Sequence, residues 1–130
     1  MFDIPEEDVQ LASPALIDAV GDKRIVVFAQ PGSGELRALD LAGADGSAGG
    51  ENWNHIILRR SPPLRITILE EFLHGTQSRL GKLNTISNQA ILAAEVEVKK
   101  FMIRHRALLG LNDADVTALQ GLLEDLFNES

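Results

Sequence analysis

The chain contains no cysteine. That absence removes disulfide scaffolds, thiolate zinc fingers, iron–sulfur clusters and cysteine nucleophiles, and the missing C-x-x-C also disfavours the zinc deaminases. No apolar run approaches the roughly 18 residues of a membrane span. The opening Met1-Phe2-Asp3-Ile4-Pro5-Glu6-Glu7-Asp8 is acidic where a signal peptide is basic. Positive charge is scarce: 12 Lys and Arg stand against 19 Asp and Glu, a net charge of −7. An acidic chain disfavours nucleic acid as a partner, because binding driven by counterion release needs clustered bases. The deficit is uneven, however. Residues 1–22 carry six acids and no base and residues 112–130 five acids and no base, leaving eight acids and twelve bases between them. The expectation is a soluble protein with no membrane partner, cytoplasmic as given.

What is present suits one domain over residues 1–130. The length is that of a typical domain, and 45% hydrophobic with 24% charged residues is an ordinary globular balance. Residues 1–12 are expected to be a flexible acidic segment. Ser13-Pro14 starts a short helix that runs to Gly21, which offers a left-handed exit. The β-branched run Arg24–Gln30 reads as a strand, Pro31-Gly32-Ser33-Gly34 as a turn, and Leu36–Leu41 as a second strand able to pair with the first as a hairpin. Residues 42–52 hold four glycines and nothing large, so a mobile loop is expected. Trp53–Arg60 reads as a third strand, stopped by Ser61-Pro62-Pro63. Helices follow over Ile66–Leu80, over Asn88–Leu109 with Ser87 as cap and Gly110 as stop, and over Asp113–Phe127 with Asn112 as cap. The class is α+β, a small sheet of about three strands followed by three helices.

Two anomalies mark where chemistry could lie. At about 100° per residue, Ile66, Leu69, Leu73, Thr76 and Leu80 form one stripe, and Glu70, His74 and Gln77 line its edge, with Glu71 further round. Side chains four apart on a helix can grip one ion, as the two histidines of H-E-x-x-H do. In the long helix Ile91, Val98, Met102 and Leu109 define the buried face, while Glu97, Lys100 and Arg104 point away. Glu95 falls inside that face and needs a partner, since a lone buried carboxylate costs several kcal/mol or more. Its candidate partners are a metal or, in a structural network, Arg65, Arg79 or His74. His55 and the Arg59-Arg60 pair are candidate substrate or oxyanion contacts; a structural role is the alternative for each. His105 reads as a packed residue. Pro31–Glu35 lacks the Gly-Lys-Ser/Thr ending of a phosphate loop.

Together Glu70-Glu71-Phe72-Leu73-His74-Gly75-Thr76-Gln77 and the later Glu95-Val96-Glu97 resemble the Glu-zincin metallopeptidases. They look closest to the metallopeptidase-like domains of bacterial polymorphic toxins with an E-E-x-x-H-x-x-Q core. Phe101-Met102-Ile103-Arg104 and Gly110-Leu111-Asn112-Asp113 add to the likeness, which covers roughly residues 56–127. The resemblance implies a zincin-like helix pair and a metal-dependent hydrolase acting on a protein or peptide. Glu70, His74 and Glu95 would be the metal ligands, Glu71 the proton acceptor and Gln77 an orienting residue. It also implies delivery into a target cell as part of a larger secreted protein, with an immunity or neutralising protein as partner. Glu70 stands where the family has its first histidine, so the set is one imidazole and two carboxylates. Zinc is expected, with manganese or iron admitted. The alternatives are a non-catalytic protein-binding module with a structural polar site, and a metal-dependent nuclease.

Overall fold

The computed structural model describes residues 8–49, 54–79 and 88–129. Residues 1–7, Trp53, Leu80 and the Ser87 cap lie outside the described residues. Eight elements follow in order: α1 (Pro14–Gly21), β1 (Ile25–Phe28), α2 (Gly34–Ala42), β2 (Gly46–Gly49), β3 (His55–Leu58), α3 (Arg65–Arg79), α4 (Asn88–Arg104) and α5 (Asp113–Glu129). The class is α+β. β3 is the central strand, parallel to β1 with Ile25 opposite His55 and antiparallel to β2 with Gly46 opposite Leu58. No helix among the described residues is long and apolar enough to cross a membrane.

Several expectations are corrected. Residues 36–41 are helical, and no hairpin joins them to β1. The Ser33 hydroxyl accepts the Leu36 N–H at 3.2 Å, Glu35 sits in the first turn, and Gly43 leaves at φ 63° in the left-handed region. With both ends capped, a single buried residue suffices for the whole helix: Leu39 is buried while Leu41 is 90% exposed. The glycine-rich stretch is not wholly a loop, since Gly46–Gly49 form edge strand β2. Gly21 is the last residue of α1, which leaves through Asp22 at φ −73°, so no left-handed exit is used there. The long helix ends at Arg104, and the turns beyond it reach Gly110 at φ 69°. That left-handed backbone favours glycine at 110, where a Cβ would also lie 2.9 Å from Arg65 Nη2 and push the guanidinium aside.

Helix α3 is the centre of the packing. Its Ile68 and Phe72 meet the sheet through Ile56 and Leu58. Ile66, Leu69 and Leu73 meet Val98, Met102 and Leu119 of α4 and α5. Two apolar faces leave one polar arc of α3, holding Glu70, Glu71, His74 and Gln77, between the sheet edge and α4.

The segment 8–12 is tied down rather than loose. Arg65 N–H donates to Gln10 O and Ala12 N–H to Pro63 O, at 2.9 and 2.8 Å. Asp115, fully buried, accepts from the Gln10 backbone N–H, the Gln10 Nε2 and the Asn112 N–H at 2.9, 2.6 and 3.1 Å. Asn112 Oδ1 accepts from Asp115 N–H in return at 2.8 Å, completing a reciprocal cap on α5. Asp115→Ala removes this acceptor from two backbone donors and an amide, and is expected to destabilise the fold by about 2–4 kcal/mol in urea denaturation. A midpoint unchanged by the substitution would show that the strap is not held there.

Candidate metal centre

Two helices supply the polar cluster. The i, i+4, i+7 spacing of α3 aligns Glu70, His74 and Gln77, and α4 presents Glu95 and Lys99 one turn apart. His74 Nε2 lies 3.4 Å from Glu95 Oε1. Lys99 Nζ lies 2.8 Å from Glu95 Oε2 and 3.4 Å from Glu70 Oε2. Ligand atoms of Glu70, His74 and Glu95 all fall within 4.8 Å of one another. The three residues that periodicity and the misplaced carboxylate singled out are therefore together, close enough to hold a metal ion. One imidazole nitrogen and two carboxylate oxygens form a donor set that zinc, manganese or iron accepts.

Gln77 fixes the imidazole. Its Nε2 donates to Ala94 O at 3.2 Å, and a carbonyl can only accept, so Oε1 faces His74 Nδ1 at 3.1 Å. Nδ1 must then carry the hydrogen. This leaves Nε2 directed at Glu95, the arrangement by which an outer hydrogen bond orients a ligating histidine. Gln77 is itself buried, and its contacts are to the histidine and backbone.

The cluster forms one wall of an open cleft of about 880 Å³, which also takes in Glu71, Ser47 and Ala48 of β2, and Leu122 of α5. The cleft wall on the sheet side is β2. Residues 56–60 belong to the central strand and the turn after it. β2 can lie this close to α3 because it is built of small residues. A Cβ at Gly46 would sit 3.1 Å from Glu71 Cγ and 3.2 Å from Thr67 Cγ2.

Burial and charge pull the carboxyl groups apart. Burial raises Glu71 to about 7, with the nearby His74 opposing the shift. The hydrogen bond from His74, followed by that from Lys99, outweighs burial at Glu95 and lowers it to about 2. Burial also raises Glu70, against the pull of Lys99. Burial alone would lower His74 and Lys99. The hydrogen bond and charge of Glu95 reverse the first, and the charge of Glu70 with the hydrogen bond to Glu95 reverses the second, so both are raised.

Other sequence candidates lie elsewhere. Ile56 and Leu58 face α3, so strand alternation turns His55 to the opposite face of the sheet. Its Nδ1 is buried and finds no hydrogen-bond partner among the described residues. Arg59 ties the start of β2, donating to Asp40 Oδ1 at 2.6 Å and to Ala44 O at 3.0 Å. Arg65 donates to Leu109 O, and the His105 ring packs against Phe101 in a tilted arrangement, centroids 4.4 Å apart. Ile91, placed on the buried face by periodicity, is 47% exposed at the cleft margin, and Glu95 is half-buried beside it. Lys99 went unread. Its signal was the Glu95-to-Lys99 spacing of four, the favoured orientation for a helical ion pair.

The raised Glu71 has a measurable consequence. Its proton is held more tightly in the folded chain than in the unfolded one, so stability falls as pH rises from 4.5 toward 7. Glu70 adds slope of the same sign. His74 acts above 6.5, and Glu95 only below 4.5. Glu71→Gln should make the fall between pH 5 and 7 visibly shallower in thermal unfolding, and an unchanged profile would place Glu71 in a solvated setting.

Comparison with protein-family models, with curated proteins and with solved structures finds no match for this chain. The functional reading rests on the chemistry of the site and on the short sequence motif that builds it.

Proposed function

We propose that this chain is a metal-dependent hydrolase, a peptidase-like effector domain of zincin type. The observation that carries the reading is the convergence of Glu70, His74 and Glu95 on one wall of the cleft, within 4.8 Å of each other. A bound divalent cation, zinc in the first place with manganese or iron as the others, would acidify a water and polarise a scissile carbonyl. The remaining chemistry belongs to the chain. Glu71 lines the same cleft and, with a pKa near 7, is matched to take a proton from the attacking water at neutral pH and return it to the leaving amine. Gln77 holds His74 in one tautomer. The likeness to toxin domains supports a protein or peptide substrate inside a target cell, and a neutralising protein as partner.

The sheet favours an extended chain as substrate. β2 is the edge strand among the described residues, and Ser47 and Ala48 line the cleft. Its outer backbone groups offer a peptide the hydrogen bonds of strand addition. The chain's net charge of −7 gives a nucleic acid no counterion-driven attraction, which sets the nuclease reading behind.

A binding module without chemistry is the second reading, and one observation favours it. Each of the three donors already has a partner in the chain, Glu70 and Glu95 in Lys99, His74 in Glu95 and Gln77. Such a network is self-sufficient as structure.

Metal analysis of protein purified without a histidine tag divides these readings. The hydrolase is expected to retain about one ion per chain, and Glu95→Ala to lose it. Glu71→Gln should keep the ion while cutting turnover of a mixed peptide library by about 10²–10⁴-fold, the usual worth of a general base. Absence of metal uptake, with thermal stability indifferent to chelator, would leave the binding module.

A further inference from the structure

Lys99 has no part in the chemistry above, yet its side chain is 5% exposed and stands between two of the three donors. A lysine this buried is rare unless paired, and here it is paired twice. We propose that Lys99 is a tethered counter-ion for the donor cluster, so that a divalent cation enters by exchange with the Lys99 ammonium and Lys99 thereby sets the affinity of the site. This rests on the metal reading of Glu70, His74 and Glu95.

The argument is geometric. A cation shared by Glu70 and Glu95 must approach their oxygens to about 2.0–2.2 Å. The ammonium is already 2.8 Å from an oxygen of one and 3.4 Å from an oxygen of the other. An ammonium and a dication confined to the same pair of carboxylates repel at short range in a half-buried setting, where screening by water is weak. Both cannot keep those contacts. The ammonium is the one able to leave: it is a compact charge on a flexible four-carbon stem, with no planar fork to hold it in register. Lys99 also lines the cleft, which gives the stem an open side into which to swing. Before exchange the ammonium keeps Glu70 and Glu95 from facing each other uncompensated across α3 and α4. The charge therefore serves folding in one state and must be displaced in the other.

Calorimetric titration of zinc chloride and of manganese chloride into the wild-type chain, Lys99→Met and Lys99→Gln tests the exchange. Both variants are expected to bind at least tenfold more tightly than wild type, because no tethered charge has to be removed. A wild-type measurement stands beside them should the variants fold poorly. Acetylation of amines read by mass spectrometry should rise several-fold at Lys99 when zinc is added, while the exposed Lys23 and Lys100 stay unchanged. Equal affinities in all three proteins, with Lys99 as protected in zinc as without it, would overturn the exchange and leave the metal site standing. No uptake of either metal by any of the three would overturn both.

Discussion

The positive charge of Lys99 between Glu70 and Glu95 is the constraint on which the helix pair depends. α3 and α4 bring three carboxylates and one imidazole to a shared, largely buried border. Like charges so placed would drive the helices apart, since removing one partner from a buried ion pair typically costs about 3–5 kcal/mol. Lys99 reaches both carboxylates from the α4 side, and His74 meets Glu95 from the α3 side. The Gln77 side chain then joins the helices directly, accepting from the imidazole and donating to Ala94 O. Glu70, His74, Gln77, Glu95 and Lys99 are thus each hydrogen-bonded or ion-paired, which is the condition under which polar groups tolerate burial.

How much of this could be read from the chain depends on the period of each segment. α3 is legible because its two apolar faces leave a polar arc, and Glu70, His74 and Gln77 fall on that arc at spacings no strand would bring together. Glu95 is legible because a carboxylate lies beside a hydrophobic stripe. α2 is not, because Leu36, Ala38, Leu39 and Leu41 contain fragments of both periods. The deciding signals are at its ends: the Ser33 cap and the Gly43 exit sit inside stretches that also look like a turn and a loop. β2 is the hardest case. Gly46-Ser47-Ala48-Gly49 has no β-branched or aromatic residue, and it is a strand because β3 offers it a partner and α3 leaves it only a narrow space. Strand preference of that kind belongs to the neighbours rather than to the segment.

The same narrowness shapes the site. With no side chain at Gly46, β2 settles against Glu71 and Thr67, and the resulting burial holds the proton on Glu71 to a pH near neutrality. Glu95, one helix away, keeps 35% of its side chain exposed and is held ionised by His74 and Lys99. Two carboxylates within reach of one imidazole are therefore given opposite proton affinities, Glu71 by burial against Gly46 and Glu95 by the hydrogen bonds from His74 and then Lys99. Any substitution that enlarges residue 46 acts on Glu71 before it acts on Glu70 and Glu95, and any that removes Lys99 acts on Glu70 and Glu95 before Glu71. The proton affinity of Glu71 is set from the sheet side of the cleft and that of Glu95 from the helix side, and that separation lets one small cluster hold a protonatable and an ionised carboxyl together.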